Sequence, residues 1–325
     1  MRRRVYCETL PYAEVTAKRT LDLLARYGLE LVLAVRPWHL GALPNATRAL
    51  RDAGVTVAIW PMVSDEEGRW ANVDNAASFR DLTLRACDAV APADVLLDLE
   101  PPFAQARSLA GLVTRGHAGR PGETRAAMKS VARPHRSLAD ARRILGATVD
   151  ELASRGATTS LAVWPVVALD HAGEHGWQAL LGTPVDGLAA SHVSIMMYTS
   201  LIEGWSRGAV RRRDAAALLA AATVRACRRW PGAAGVSLGC VGVGAFEDEP
   251  TYRSPGELAA DVAIARAAGC DALSLFDLGG VLARGGEPWL EAFVNGSEAD
   301  VRTSKRVRIG RLLARVATRA LPKKP

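Results

Sequence analysis

Two carboxylates set two residues apart, Asp98 and Glu100, close the stretch Ala93–Pro102, which reads A-D-V-L-L-D-L-E-P-P. Residues at i and i+2 of a strand project to the same side. The pair therefore points together off the end of the apolar run Val95–Leu97. Pro101 and Pro102 cannot continue a hydrogen-bonded ladder, so the strand stops there. Like charges this close repel, and burial raises the pKa of at least one of them. A raised carboxyl can hold a proton near neutral pH, which is what a general acid needs. The plainer alternative is a solvated pair of acids at a strand end. The other strand ends weigh against it.

Read in order, those ends carry Glu8, then Arg36-Pro37-Trp38, then Trp60-Pro61, then Trp164-Pro165, Tyr198, the loop acids Glu247-Asp248-Glu249, and Asp277. Trp70 and Trp205 fall in the loops that follow. Flat aromatic faces suit sugar rings, whose C–H faces stack on π systems. Any one of these tryptophans could simply plug the top of a fold; five together read as a binding cleft.

The elements that must position these residues are short β-like runs alternating with longer helical patterns. The runs are Val5–Thr9, Leu31–Val35, Val55–Val63, Val95–Glu100, Thr159–Val167, Val193–Thr199, Val236–Val243 and Ala272–Leu278. Between them lie amphipathic segments at Ala13–Tyr27, Ala42–Ala53, Ala76–Ala89, Leu138–Arg155, Asp214–Arg229 and Pro255–Ala268. Gly28, Gly54, Gly156 and Gly269 follow four of these, as left-handed helix caps do. Ser254-Pro255-Gly256-Glu257 has the pattern of a helix start with serine as N-cap. Eight strand–helix units predict an α/β fold, a (β/α)8 TIM barrel over residues 1–300. The chain has no G-x-G-x-x-G after its first strand and no P-loop, so neither nucleotide-binding variant of a doubly wound sheet is supported. The stretch 103–136 is a long glycine-rich, basic insertion, read as a lid or as surface elaboration with a helix around Phe103–Thr114.

Composition sets the outer bounds. The 325 residues are 49% hydrophobic and 23% charged, as in a soluble globular protein. There is no apolar run of membrane-spanning length and no signal-peptide core behind the basic N-terminus. The five cysteines are scattered, with no C-x-x-C. This suits a reducing cytoplasm and argues against a disulfide framework or a zinc site. Residues 302–325 hold nine Lys/Arg and no acid; removing those nine charges from the formal +7 leaves −2 on residues 1–301. The basicity is thus a property of the tail, and no nucleic-acid-binding face is expected on the body. Residues 301–325 have the pattern of a basic amphipathic helix. Such a helix suits peripheral contact with an anionic membrane or a protein partner, or serves as a solubilising extension.

At the level of motifs the chain resembles the family 18 glycoside hydrolases, the chitinase-like barrels. Their fourth strand carries D-x-x-D-x-D-x-E. In Ala93–Glu100 the last aspartate and the glutamate match as Asp98 and Glu100, whereas Ala93 and Leu96 replace the first two aspartates. Leu161-Ala162-Val163-Trp164-Pro165 is similar to the family's fifth strand. Met196-Met197-Tyr198-Thr199 is similar to M-x-Y-D, with Thr199 in place of the aspartate. In strand eight, Phe276 stands where the family commonly has a tryptophan. The resemblance implies a substrate-assisted route that departs from the usual two-carboxylate scheme. Glu100 would be the acid/base, Asp98 the group that orients an N-acetyl substituent, and Tyr198 the clamp on its carbonyl. Glu8, Arg36, Trp38, Trp60, Trp164 and Asp277 would bind substrate. Glu8 or Asp277 could instead act as the second acid of a conventional hydrolase. With Leu96 and Thr199 in place of acids, a non-catalytic carbohydrate-binding barrel is the alternative from another class. His171 and His192, even taken with Glu100, have no metal-ligand spacing. No metal or cofactor is expected, and a metal-dependent sugar isomerase or lyase is the remaining alternative.

Overall fold

The computed structural model describes residues 2–114, 138–170, 176–246 and 248–296. Most of the 103–136 insertion, the 301–325 tail, His171 and Glu247 therefore lie outside the described residues. Eight parallel strands close into a barrel in sequence order: β1 (Arg3–Cys7), β2 (Glu30–Val35), β3 (Val57–Pro61), β4 (Asp94–Leu99), β5 (Thr158–Val163), β6 (His192–Met197), β7 (Ala234–Gly239) and β8 (Leu273–Phe276). β8 pairs back onto β1 through Leu273 opposite Arg3 and Leu275 opposite Val5. All eight expected strands are present. Several end earlier than their apolar runs suggest, because the chain turns into loops and short helices there. β5 stops at Val163, and Pro165–Leu169 already forms a 3-10 turn.

The pleat divides each strand between two cores. On β4, Val95, Leu97 and Leu99 join the outer core beneath the helices, whereas Leu96 joins the interior with Tyr6, Val32, Ala58 and Ala162. Asp94, Asp98 and Glu100 share the parity of Leu96. The strand therefore turns one acid toward the N-terminal end of the barrel and two toward its mouth.

Helices at Leu43–Asp52, Ala76–Val90, Leu138–Ser154, Arg212–Arg229 and Pro255–Ala267 match the amphipathic segments closely. Gly28, Gly54, Gly156 and Gly269 take positive φ values of 59°, 75°, 81° and 91°, the left-handed conformation a glycine admits most readily. Two expectations need correction. The segment Ala13–Tyr27 is two helices, Tyr12–Val15 and Lys18–Arg26, because Ala17 is extended and Thr16 Oγ1 bonds back to the Tyr12 carbonyl at 2.8 Å. Ser254 is an N-cap by position only: its side chain makes no capping bond. Glu257 instead accepts the Arg253 N–H at 2.8 Å. The insertion after β4 opens as a helix, Phe103–Thr114. No helix among the described residues is long and apolar enough to cross a membrane.

Candidate active site

At the C-terminal ends of the strands lies a cavity of about 390 Å³, where chemistry sits in this fold. Of the residues singled out by sequence, Glu8, Trp60, Asp98, Glu100, Trp164 and Tyr198 all line it, as do Trp70 and Trp205.

Glu100 is 9% exposed and Asp98 2%. Trp164 Nε1 donates to Glu100 Oε2 at 2.7 Å. Burial pushes the Glu100 carboxyl up to about 8; the Trp164 bond opposes that rise, and the Glu8 and Glu249 carboxylates add to it. Asp98 is raised well above the usual aspartate range, first by burial and then by Glu100 and Glu8. Its Oδ1 is buried and has no hydrogen-bond partner among the described residues, and the same holds for Trp60 Nε1. Glu8 Oε1 accepts from Arg69 Nη1 at 3.2 Å. Burial nevertheless raises Glu8 to about 7, with Arg69 acting in the opposite direction. The Tyr198 ring lies 5.5 Å from that of Phe276, and its hydroxyl is held protonated by burial and by the neighbouring Tyr6, Cys240, Asp98 and Glu100. At neutral pH the floor is thus a set of carboxyls disposed to keep protons, with the intact phenols of Tyr198 and Tyr6 beside them.

Three expected site residues do not line this cavity. Trp38 is 65% exposed and rests on the Arg36 guanidinium, 4.8 Å from its ring centroid, because the chain leaves β2 through the 3-10 turn Pro37–His39. Arg36 itself donates to Asp65 at 2.6 Å. Asp277 is buried as the N-cap of the helix Leu278–Ala283, where its Oδ1 accepts the Gly280 N–H at 2.9 Å. Its carboxyl, raised to about 6 by burial, is thus engaged by backbone. Thr199, read as a lost cavity acid, is buried outside the cavity lining. It donates to Asp261 and accepts from Arg212 Nη1 at 2.6 Å.

Sequence reasoning missed part of the site. Tyr6 shares the parity of Glu8 on β1, lines the cavity and meets Trp60 edge-on at 5.2 Å; the i, i+2 rule applied to β4 would have found it. Phe103, which opens the helix after β4, and Phe246, in the loop after β7, stack at 5.7 Å and 8°. Trp70 lies 5.6 Å from Phe103, and Trp205 lies 6.3 Å from Phe246. The Arg69 guanidinium sits 5.1 Å from the Phe103 ring. These positions, in loops or at helix ends, carry no periodic signal. Among the described residues no three His, Cys, Asp or Glu side chains are grouped as metal ligands would be.

No protein-family model matches the chain, and no curated protein matches it. Among solved structures the chain is similar to the glycoside hydrolase domain of PgaB (BpsB) from Bordetella bronchiseptica, at a TM-score of 0.55 and 12% identity, over 94% of this chain and 99% of that one. It is also similar to PbGH5A, a family 5 glycoside hydrolase from Prevotella bryantii B14, at 0.50 and 11%, over 90% and 95%. D-allulose 3-epimerase from a Methylomonas species matches at 0.48 and 12%, over 90% and 95%. At such identities the likeness establishes the barrel and leaves its chemistry to the residues in the cavity.

Proposed function

We propose that this barrel hydrolyses glycosidic bonds in a glycan containing N-acetylhexosamine, with Glu100 as acid/base and Asp98 and Tyr198 assisting. One observation carries the reading: strand parity turns Asp98 and Glu100 into an aromatic cavity whose burial keeps Glu100 protonated up to about pH 8. In the first step Glu100 gives its proton to the leaving glycosidic oxygen. The substrate's acetamido carbonyl attacks the anomeric carbon as that bond breaks. Asp98 accepts the acetamido N–H and so steadies the positive charge that develops on the ring formed, while Tyr198 donates to the carbonyl oxygen and holds it in line with the anomeric carbon. Water then opens the ring, with Glu100 taking the proton back. Trp60 and Trp164 offer flat faces for the sugar.

The test is hydrolysis of N-acetylglucosamine oligomers and chromogenic N-acetylglucosaminides, with Glu100→Gln as the control. Turnover that survives this substitution removes Glu100 from its role. Leu96 favours a second reading, a glycan-binding barrel without turnover: it lies in the interior two residues before Asp98 and leaves that carboxyl without an acidic partner there. Saturable binding of the same oligomers with no product would select it.

A further inference from the structure

The cavity is lined by two chemically different groups of residues. The strand ends of β1 and β4 contribute Glu8, Asp98 and Glu100. The helix Thr199–Trp205 and the loops after it and after β7 contribute Leu201, Ile202, Trp205, Val210, Ala245 and Phe246. Each of these six is only partly buried, so part of its surface faces open space.

The Ser206 hydroxyl and the Glu249 carboxylate on this second side are already engaged. Ser206 Oγ donates to the Glu203 carbonyl at 2.9 Å and accepts the Val210 N–H at 2.9 Å. The Glu249 carboxylate is folded back onto the N–H groups of Gly244 and Phe246 in its own loop. The Trp205 indole nitrogen has no partner among the described residues but is buried, so a ligand hydroxyl on the cavity surface does not reach it. A second sugar ring, with a hydroxyl on most of its carbons, would lose water there and find few partners. A hydrocarbon group loses nothing by the same transfer. The cavity, at about 390 Å³, is also near the small end of the range for small-molecule sites, roughly 300–1,000 Å³.

We infer that the substrate is a glycoside whose aglycone is an alkyl or aryl group seated on Leu201, Ile202, Trp205, Val210, Ala245 and Phe246. This rests on the hydrolase reading for the bond that is cut; the seating of the apolar group does not depend on turnover.

The experiment uses the full chain and a series of alkyl N-acetyl-β-glucosaminides from methyl to octyl. Binding is followed by tryptophan fluorescence and cleavage by released sugar. Affinity is expected to rise about fourfold per methylene, the equivalent of about 0.8 kcal/mol, until the space is filled. Ile202→Asn should flatten that slope, and the wild-type series decides the matter alone if the variant does not fold. A rising affinity without cleavage supports the apolar seat and sinks the hydrolase reading. Affinity that is flat across the series, absent throughout, or exceeded by that of N-acetylglucosamine oligomers overturns the inference.

Discussion

The two ends of the barrel handle buried charge in opposite ways. At the N-terminal end Arg4, 1% exposed, donates to Asp94 and, at 2.7 Å, to Glu30. Arg2 reinforces Glu30 at 2.8 Å, and Ser160 and Thr158 donate to Asp94 at 2.8 Å and 2.5 Å. At the mouth, Asp98 and Glu100 have no cation bonded to them among the described residues; Trp164 donates to Glu100, and Arg69 pairs with Glu8. One strand, β4, supplies acids to both ends with the same inward parity. What differs is the company each acid keeps. Paired charge at the base holds the strands in register, whereas carboxyls at the mouth are left to titrate. Such perturbed acids in a cavity are what make it the candidate functional site.

Substitutions at the two ends should therefore fail in different ways. The largest expected effect is at the mouth: Glu100→Gln lowers turnover of a chromogenic N-acetylglucosaminide by about 10²–10⁴-fold while the protein stays folded. At the base, Arg4→Met leaves Asp94 and Glu30 buried without their shared cation and costs about 3–5 kcal/mol in denaturant unfolding. Turnover per folded molecule should not change. If Arg4→Met were neutral for stability, the contrast between the two ends would collapse.

The pH dependence sharpens the same comparison. The folded values of Glu8 and Glu100 are raised to about 7 and about 8 from an ordinary 4.5. The native state therefore holds protons that the unfolded chain has released. The stability these groups contribute is full below the ordinary glutamate range and is lost as pH rises through their folded values. Removing one of them should help at alkaline pH: near pH 8.5, Glu100→Gln is expected to melt roughly 2–4 °C above wild type, with the gap closing by about pH 5. A smaller effect is expected at Trp164. Its indole N–H holds the Glu100 pKa down, so Trp164→Phe should move the alkaline limb of the pH–rate profile upward. A downward shift would show that another group sets the limb. Smallest of all, Trp38→Ala on the exposed face should leave turnover unchanged and alter stability by less than about 0.5 kcal/mol.

Much of the barrel was legible because apolar runs, proline stops and capping glycines recur at regular intervals. The pair Asp98/Glu100 was legible for a stricter reason: a period of two admits only two outcomes, and both residues share one. The same rule would have yielded Tyr6. The tryptophans were legible only as a group. Trp70 reaches the cavity from a loop and Trp205 from the end of the short helix Thr199–Trp205, whereas Trp38, at a strand end, is carried off by the turn at Pro37. Nothing in composition or spacing separates these cases, since loop paths are set by contacts distant in sequence. Asp277 was misplaced although the signal was present: an acid directly before a helical stretch is a common N-cap, and that role engages its carboxylate.

The stacked rings over the cavity bear on how this mouth can evolve. Trp70, Phe103, Trp205 and Phe246 come from the four connections after β3, β4, β6 and β7, and Phe246 touches the other three. Loops on many barrels behave as interchangeable cassettes, each free to drift by itself. Here a transplanted loop would strip contacts from rings its donor never carried. New specificity in this lineage should arise through matched changes on facing loops, with Phe246 the last position to vary.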